Sequence, residues 1–117
     1  MKNKILIIGS SGYLGTNLIK KLNVKKKIIC FDKKKSRILP SDKKKIFKIY
    51  NADLNNKKKL NEALKLTKII FYRAGILGGP NSNKINKSRI YFRENIEKLI
   101  KFLVIAKKHK IEKFIYD

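Results

Sequence analysis

Lys4-Ile5-Leu6-Ile7-Ile8 runs directly into Gly9-Ser10-Ser11-Gly12-Tyr13-Leu14-Gly15. The first five residues are apolar almost throughout, as a strand covered on both faces should be. Beyond them Leu14, Leu18 and Leu22 recur at helical spacing and predict a helix from about Tyr13 to Leu22, with these three on its buried stripe. Three glycines therefore occupy a strand-to-helix turn. Gly9 lets the chain turn sharply at positive φ, where a side chain would cost energy. Gly12 lets backbone amides approach a diphosphate, and Gly15 lets the helix pack close to the sheet. The helix start adds free N–H groups and a partial positive charge. A glycine-rich turn with no ligand is the plainer reading, and the strand-helix setting argues against it. No Gly-Lys-Ser/Thr follows, so a nucleoside-triphosphate loop is excluded.

The rest of the chain alternates short β runs with longer helical stretches, the pattern of a parallel α/β sheet. Further strands are expected at Lys27 to Phe31, Ile46 to Tyr50, Lys68 to Tyr72 and Ile111 to Tyr116. A helix from Lys57 to about Leu66, burying Leu60, Ala63 and Leu64, takes Asn55 or Asn56 as its cap. A long helix from about Lys87 to His109 carries Phe92, Ile96, Leu99, Leu103 and Ala106 at steps of four or three. Asp32 to Lys45 is polar and holds Pro40, so it reads as an irregular connection with at most a short helix. Right-handed crossovers then give an open, Rossmann-type parallel sheet ordered 3-2-1-4-5, flanked by helices, in one domain over residues 1–117.

Composition narrows the classes. A chain of 117 residues with 43% hydrophobic content suits a single core and excludes disorder. No apolar run is long enough to span a membrane, and the apolar stretch after Met1 is too short for a signal peptide, so a cytoplasmic protein is expected. The lone Cys30 lies in the apolar run Ile28 to Phe31 and reads as a buried structural thiol. The net charge of +23 raises nucleic-acid binding, but arginine supplies only four of the 31 basic residues. Lysine, isoleucine and asparagine fill 57 of 117 positions, as a base-biased genome would produce. The lysine triplets at 25–27, 33–35, 43–45 and 57–59 fall mostly between elements, so solvated lysines with only non-specific attraction to polyanions are the expectation.

Asp32 ends the second strand, 17 residues beyond Gly15. Its carboxylate is placed to accept from the two hydroxyls of an adenosine ribose and would repel a 2′-phosphate, which favours NAD over NADP. Lys33 to Lys35 and Arg37 weaken that preference, because a cation there could hold the phosphate.

The glycine spacing, Asp32, Asp53-Leu54 after the third strand and Tyr72-Arg73-Ala74-Gly75 after the fourth resemble the extended short-chain dehydrogenase/reductase family. Within it the chain looks like the NAD-dependent epimerase/dehydratase branch, which acts mainly on nucleotide sugars. Tyr91-Phe92-Arg93-Glu94-Asn95 and Lys113-Phe114-Ile115-Tyr116 fall in the expected order, so the resemblance covers essentially the whole chain. It implies that Gly9, Ser11, Gly12, Tyr13, Leu14 and Gly15 line the diphosphate. Asp32 would hold the ribose, and Asp53 with Leu54 would flank the adenine. Arg73, Ala74 and Gly75 would pass near the nicotinamide half, with Asn95 supporting the site from the long helix.

Two departures stand out. Tyr72 replaces a frequent His, and Arg73 replaces a usual apolar residue, as either a tolerated change or a cation beside the cofactor phosphates. The loop Gly75 to Asn83 either touches substrate or merely connects. The family's active-site Ser or Thr and its Tyr-x-x-x-Lys pair would follow the fifth strand, and neither occurs before Asp117. In that pair the lysine lowers the tyrosine pKa for proton transfer. The chain is thus expected to be the amino-terminal portion of such an enzyme, inactive alone, with no catalytic residue of its own. His109 reads as a surface or carbonyl-capping residue, and no cluster suggests a metal. A nucleotide sugar is the substrate expected of the whole enzyme, with a homodimer left open. The competing classes are a small non-catalytic dinucleotide-binding module and a lysine-driven nucleic-acid binder.

Overall fold

In the computed structural model, which describes residues 2–73 and 85–116 (backbone only over 85–92 and at 94), the elements alternate as the apolar pattern requires. They are β1 (Lys4–Ile8), α1 (Tyr13–Lys21), β2 (Ile28–Asp32), a 3-10 turn at Pro40–Lys45, β3 (Ile46–Asn51), α2 (Lys57–Lys65), β4 (Thr67–Tyr72), α3 (Ile85–Ala106) and β5 (Lys113–Tyr116). The five strands form one parallel sheet in the order β3-β2-β1-β4-β5. The Rossmann-type topology expected from the sequence is the one observed.

Alternate residues of the central strands bury on opposite faces, as the two-residue period of a strand dictates. Leu6, Ile8, Ile29, Phe31, Ile70 and Tyr72 form one face, packed under α2 and α3 through Leu60, Leu64, Phe102 and Ile105. Ile7, Ile28 and Cys30 form the other, beneath Ile19 of α1. Asn56 caps α2: its side-chain oxygen accepts from the Lys59 N–H at 3.1 Å. This fills one of the acceptorless positions at a helix start.

Two helices are turned about their axes relative to the sequence reading. On α1, Gly15 and Ile19 are buried while Leu14 is 50% exposed, with Leu18 and Leu22 only partly covered. The helix approaches the sheet at its glycine, so the contact face runs through Gly15 and Ile19. On α3, Phe102, Ile105 and Ala106 are buried and Leu99 partly so, whereas Ile96 and Leu103 are exposed. That helix is apolar on too many sides for periodicity to choose its inner face. The Phe92 side chain lies outside the described residues. β5 also begins at Lys113, later than Ile111.

The segment after β2 is better tied than its polarity suggests. Asp42 is buried and pairs with Lys45 at 2.9 Å. The same ammonium donates to the Ile19 and Lys20 carbonyl oxygens, both at 3.0 Å. Lys45 thus satisfies carbonyls in the last turn of α1, where no intrahelical donor remains.

Candidate cofactor site

All five strands are parallel, so the carboxyl ends of β1, β2, β3 and β4 share one edge of the sheet. Backbone bonds carry that alignment past the strand ends. The Gly9 N–H donates to Phe31 O at 2.9 Å, Ala52 N–H to Asp32 O at 3.0 Å, and Arg73 N–H to Ile8 O at 2.8 Å. The strand order reverses between β1 and β4, and a crevice at such a reversal is where open α/β sheets take ligands.

The glycine turn occupies that point. Gly9 has φ 82°, a region that favours glycine. A Cβ on Gly15 would lie 2.6 Å from Gly9 O and 2.8 Å from Ser10 Cα, so only glycine permits this approach of α1 to the loop. Gly12 differs. Its φ is −73°, and a Cβ there would meet Gly9 O at 3.6 Å, an ordinary contact. Protein packing therefore does not demand glycine at 12; the space its bare Cα leaves opens on the cleft. Gly12 also offers no side-chain cap to α1, and the first turn carries no acid. The N–H groups at the start of α1 thus face the cleft without an intrahelical acceptor.

The cleft encloses about 640 Å³. Gly9, Ser11, Gly12, Tyr13, Leu14 and Gly15 line its floor, with Tyr13 82% exposed at the mouth. Asp32, Asp53 and Leu54 line the β2–β3 side, and Arg73 the β4 side. Ala74 and Gly75, like the loop to Asn83, lie outside the described residues. Asn95 is half-buried on α3 and is not among the described residues lining the cleft.

Asp32 is already engaged. Its Oδ2 accepts from the Ser11 N–H at 2.9 Å and from the Ser11 hydroxyl, and its Oδ1 accepts from the Lys34 N–H at 2.9 Å. A carboxylate has about four acceptor sites; three are taken, so one remains on Oδ1 for an incoming hydroxyl. These bonds fix the carboxylate against the glycine loop. Ser10, buried behind the turn, shares a 3.0 Å hydrogen bond with Ser36. Asp53 Oδ1 accepts from the Asn55 N–H at 2.8 Å, which holds the turn after β3.

The structure adds residues the sequence did not single out. Lys98 reaches the cleft from α3, and Ile8, Phe31 and Ala52 give it apolar lining. Lys33 and Lys34 also line it, whereas Lys35 and Arg37 do not. An α3 lysine among so many had no distinguishing signal. Cys30 is fully buried below the loop, and burial pushes its thiol up to about 11, so it stays protonated near neutrality. His109 departs from the capping role: its Nε2 lies 2.8 Å from Asn61 Oδ1, linking the end of α3 to α2. Burial and the nearby Lys2, Lys65 and Lys108 hold its pKa below the usual value. Among the described residues no group of His, Cys, Asp or Glu forms a metal site, and no helix is long and apolar enough to cross a membrane.

The model of the NAD dependent epimerase/dehydratase family matches residues 5–116. The chain belongs to that family. The family is NAD-dependent, and the residues at the cleft fit a dinucleotide: Gly12 leaves room a Cβ would fill, while the α1 start supplies donors.

Solved structures agree in fold. A UDP-glucose 4-epimerase superposes with a TM-score of 0.72 at 25% identity, over 97% of this chain and 35% of that one. An L-threonine dehydrogenase from Clostridium difficile does so with a TM-score of 0.70 at 25% identity, over 98% and 36%. A UDP-glucuronic acid 4-epimerase from Bacillus cereus, crystallised with NAD, has a TM-score of 0.71 at 23% identity over 97% and 39%, a likeness of fold alone. The chain thus spans little more than a third of the length of these structures. No curated protein sequence matches it.

Proposed function

We propose that residues 1–117 form the NAD-binding domain of an epimerase/dehydratase-type enzyme acting on a nucleotide sugar. The observation that carries this reading is Gly12, a glycine that protein packing does not require, at the helix start beside the hydrogen-bonded Asp32. Gly9, Ser11, Gly12, Tyr13, Leu14 and Gly15 receive the diphosphate. Asp32 takes the adenosine ribose, and Asp53 and Leu54 border the adenine. Arg73, Ala74 and Gly75 pass the nicotinamide half, which Asn95 supports from α3. Bound nicotinamide would supply reversible hydride acceptance from a sugar carbon. The chain's own share is to bind and orient: its sequence contains no Tyr-x-x-x-Lys pair for proton transfer. The nucleotide-sugar assignment draws on the family and on the UDP-sugar epimerases of like fold.

NAD is preferred over NADP because a 2′-phosphate would meet the Asp32 carboxylate, whose position Ser11 and the Lys34 amide hold. Calorimetric titration tests this. The folded chain should bind NAD about tenfold or more tighter than NADP, and Asp32→Ala should weaken NAD while erasing the discrimination. Equal affinity for both cofactors in the wild type would overturn the NAD preference. No heat from either would overturn the whole reading.

A further inference from the structure

The two sides of the cleft differ in charge. Asp32 and Asp53 stand on the β2–β3 side, together with Lys33 and Lys34. The opposite side carries Arg73 from the end of β4 and Lys98 from α3, with no carboxylate among the described lining residues. Arg73 is fixed one strand from the glycine turn, because its N–H donates to Ile8 O, the residue before Gly9. Its side chain is half-buried, as is that of Lys98. Two cations from separate elements thus line the same cleft as the glycine turn.

A diphosphate linkage carries about two negative charges, whereas a helix start supplies roughly half a positive charge. The first turn of α1, Tyr13-Leu14-Gly15, adds no charged side chain. Most of the anion is therefore left to be balanced by other groups, and those on the β4 side are Arg73 and Lys98. Resting on the dinucleotide reading above, we propose that Arg73 and Lys98 form a second phosphate-binding wall opposite the glycine turn. They take the phosphate distal to the adenosine, so the cleft selects ligands with an intact diphosphate over nucleoside monophosphates. Arg73 is a binding residue in this account, not a tolerated replacement for an apolar side chain.

The test is calorimetric titration of the full chain with NAD, ADP-ribose and AMP, in Arg73→Leu, Arg73→Lys and Lys98→Ala variants. Urea unfolding of each variant serves as the control for folding. AMP lacks the distal phosphate and reports damage to the rest of the cleft. Affinity for NAD and ADP-ribose should fall about tenfold in Arg73→Leu and about threefold in Lys98→Ala, with AMP changed less than about twofold. Arg73→Lys should keep most of the wild-type affinity, and the losses should shrink in high salt. Wild-type affinity for NAD in both Arg73→Leu and Lys98→Ala would overturn the proposal, as would equal losses for AMP and NAD. A wild-type chain that binds neither NAD nor ADP-ribose would instead defeat the dinucleotide reading beneath it.

Discussion

The two halves of the sheet are held by different means. Through β1 and β2, mostly aliphatic strands are buried on both faces, with β3 a half-open edge buried at Tyr50, and backbone geometry at Gly9 and Gly15 shapes the turn that follows β1. From β4 outward, the structure leans on an aromatic cluster. Tyr72 meets Phe102 at 5.0 Å, Tyr116 at 5.9 Å and Phe114 at 6.1 Å between ring centres. Phe114 and Tyr116 stay substantially exposed, and so do Ile96, Ile100, Leu103 and Val104 along α3. The site half is determined by the backbone and tolerates little change of shape. The outer half depends on a few ring contacts, beside apolar surface that these contacts leave open.

The sharpest way to break the outer half is Phe102→Ala. The ring is 1% exposed, and its loss should cost about 3–5 kcal/mol in urea unfolding. Val104→Ser, two residues away on the exposed face, should change stability by less than about 0.5 kcal/mol. Equal effects would mean the helix packs on a different face. In the site half, Gly15→Ala should cost about 2–3 kcal/mol and lower NAD affinity, because the added methyl meets backbone atoms at 2.6 to 2.9 Å.

A smaller effect tests the tie beneath that half. Asp42→Ala should destabilise by about 1–2 kcal/mol by removing the partner of a largely buried ammonium. Lys45→Met combined with Asp42→Ala should cost less than the two single losses added together, which a double-mutant cycle in urea would show.

An effect absent at neutral pH is a pH dependence. Burial holds the Cys30 thiol up at about 11 against 9.0 in the unfolded chain. The unfolded chain therefore ionises first, and this contribution to stability, full below pH 9, is lost as pH rises toward 11. The difference in stability between wild type and Cys30→Ala should move in that sense across the window. A flat difference would mean the thiol is reached by solvent.

Much of this was legible from residues alone. Strand positions came within about two residues because β-branched and apolar runs broke at glycine, asparagine and lysine clusters. The glycine turn was equally clear, and a cap at Asn55 or Asn56 was expected, of which the structure uses Asn56. The inner faces of α1 and α3 were not. Leu14, Leu18 and Leu22 make a regular stripe, yet the close approach at Gly15 turns the helix toward Ile19. On α3, apolar residues at 96, 99, 100 and 102–105 leave no unique face until the neighbouring strand supplies Tyr72. Lys45 and Lys98 were hidden by abundance: among 27 lysines, nothing in sequence marks one that caps α1 or one that lines a cleft.

The most direct test of the dinucleotide assignment is to follow the backbone amide resonances of the folded chain during titration with NAD. The amides of Gly9 to Gly15, Asp32, Asp53 and Leu54 should shift in a saturable way, with those of β5 and the exposed face of α3 left in place. Unmoved glycine-turn amides, or shifts confined to β5 and the outer face of α3, would contradict it.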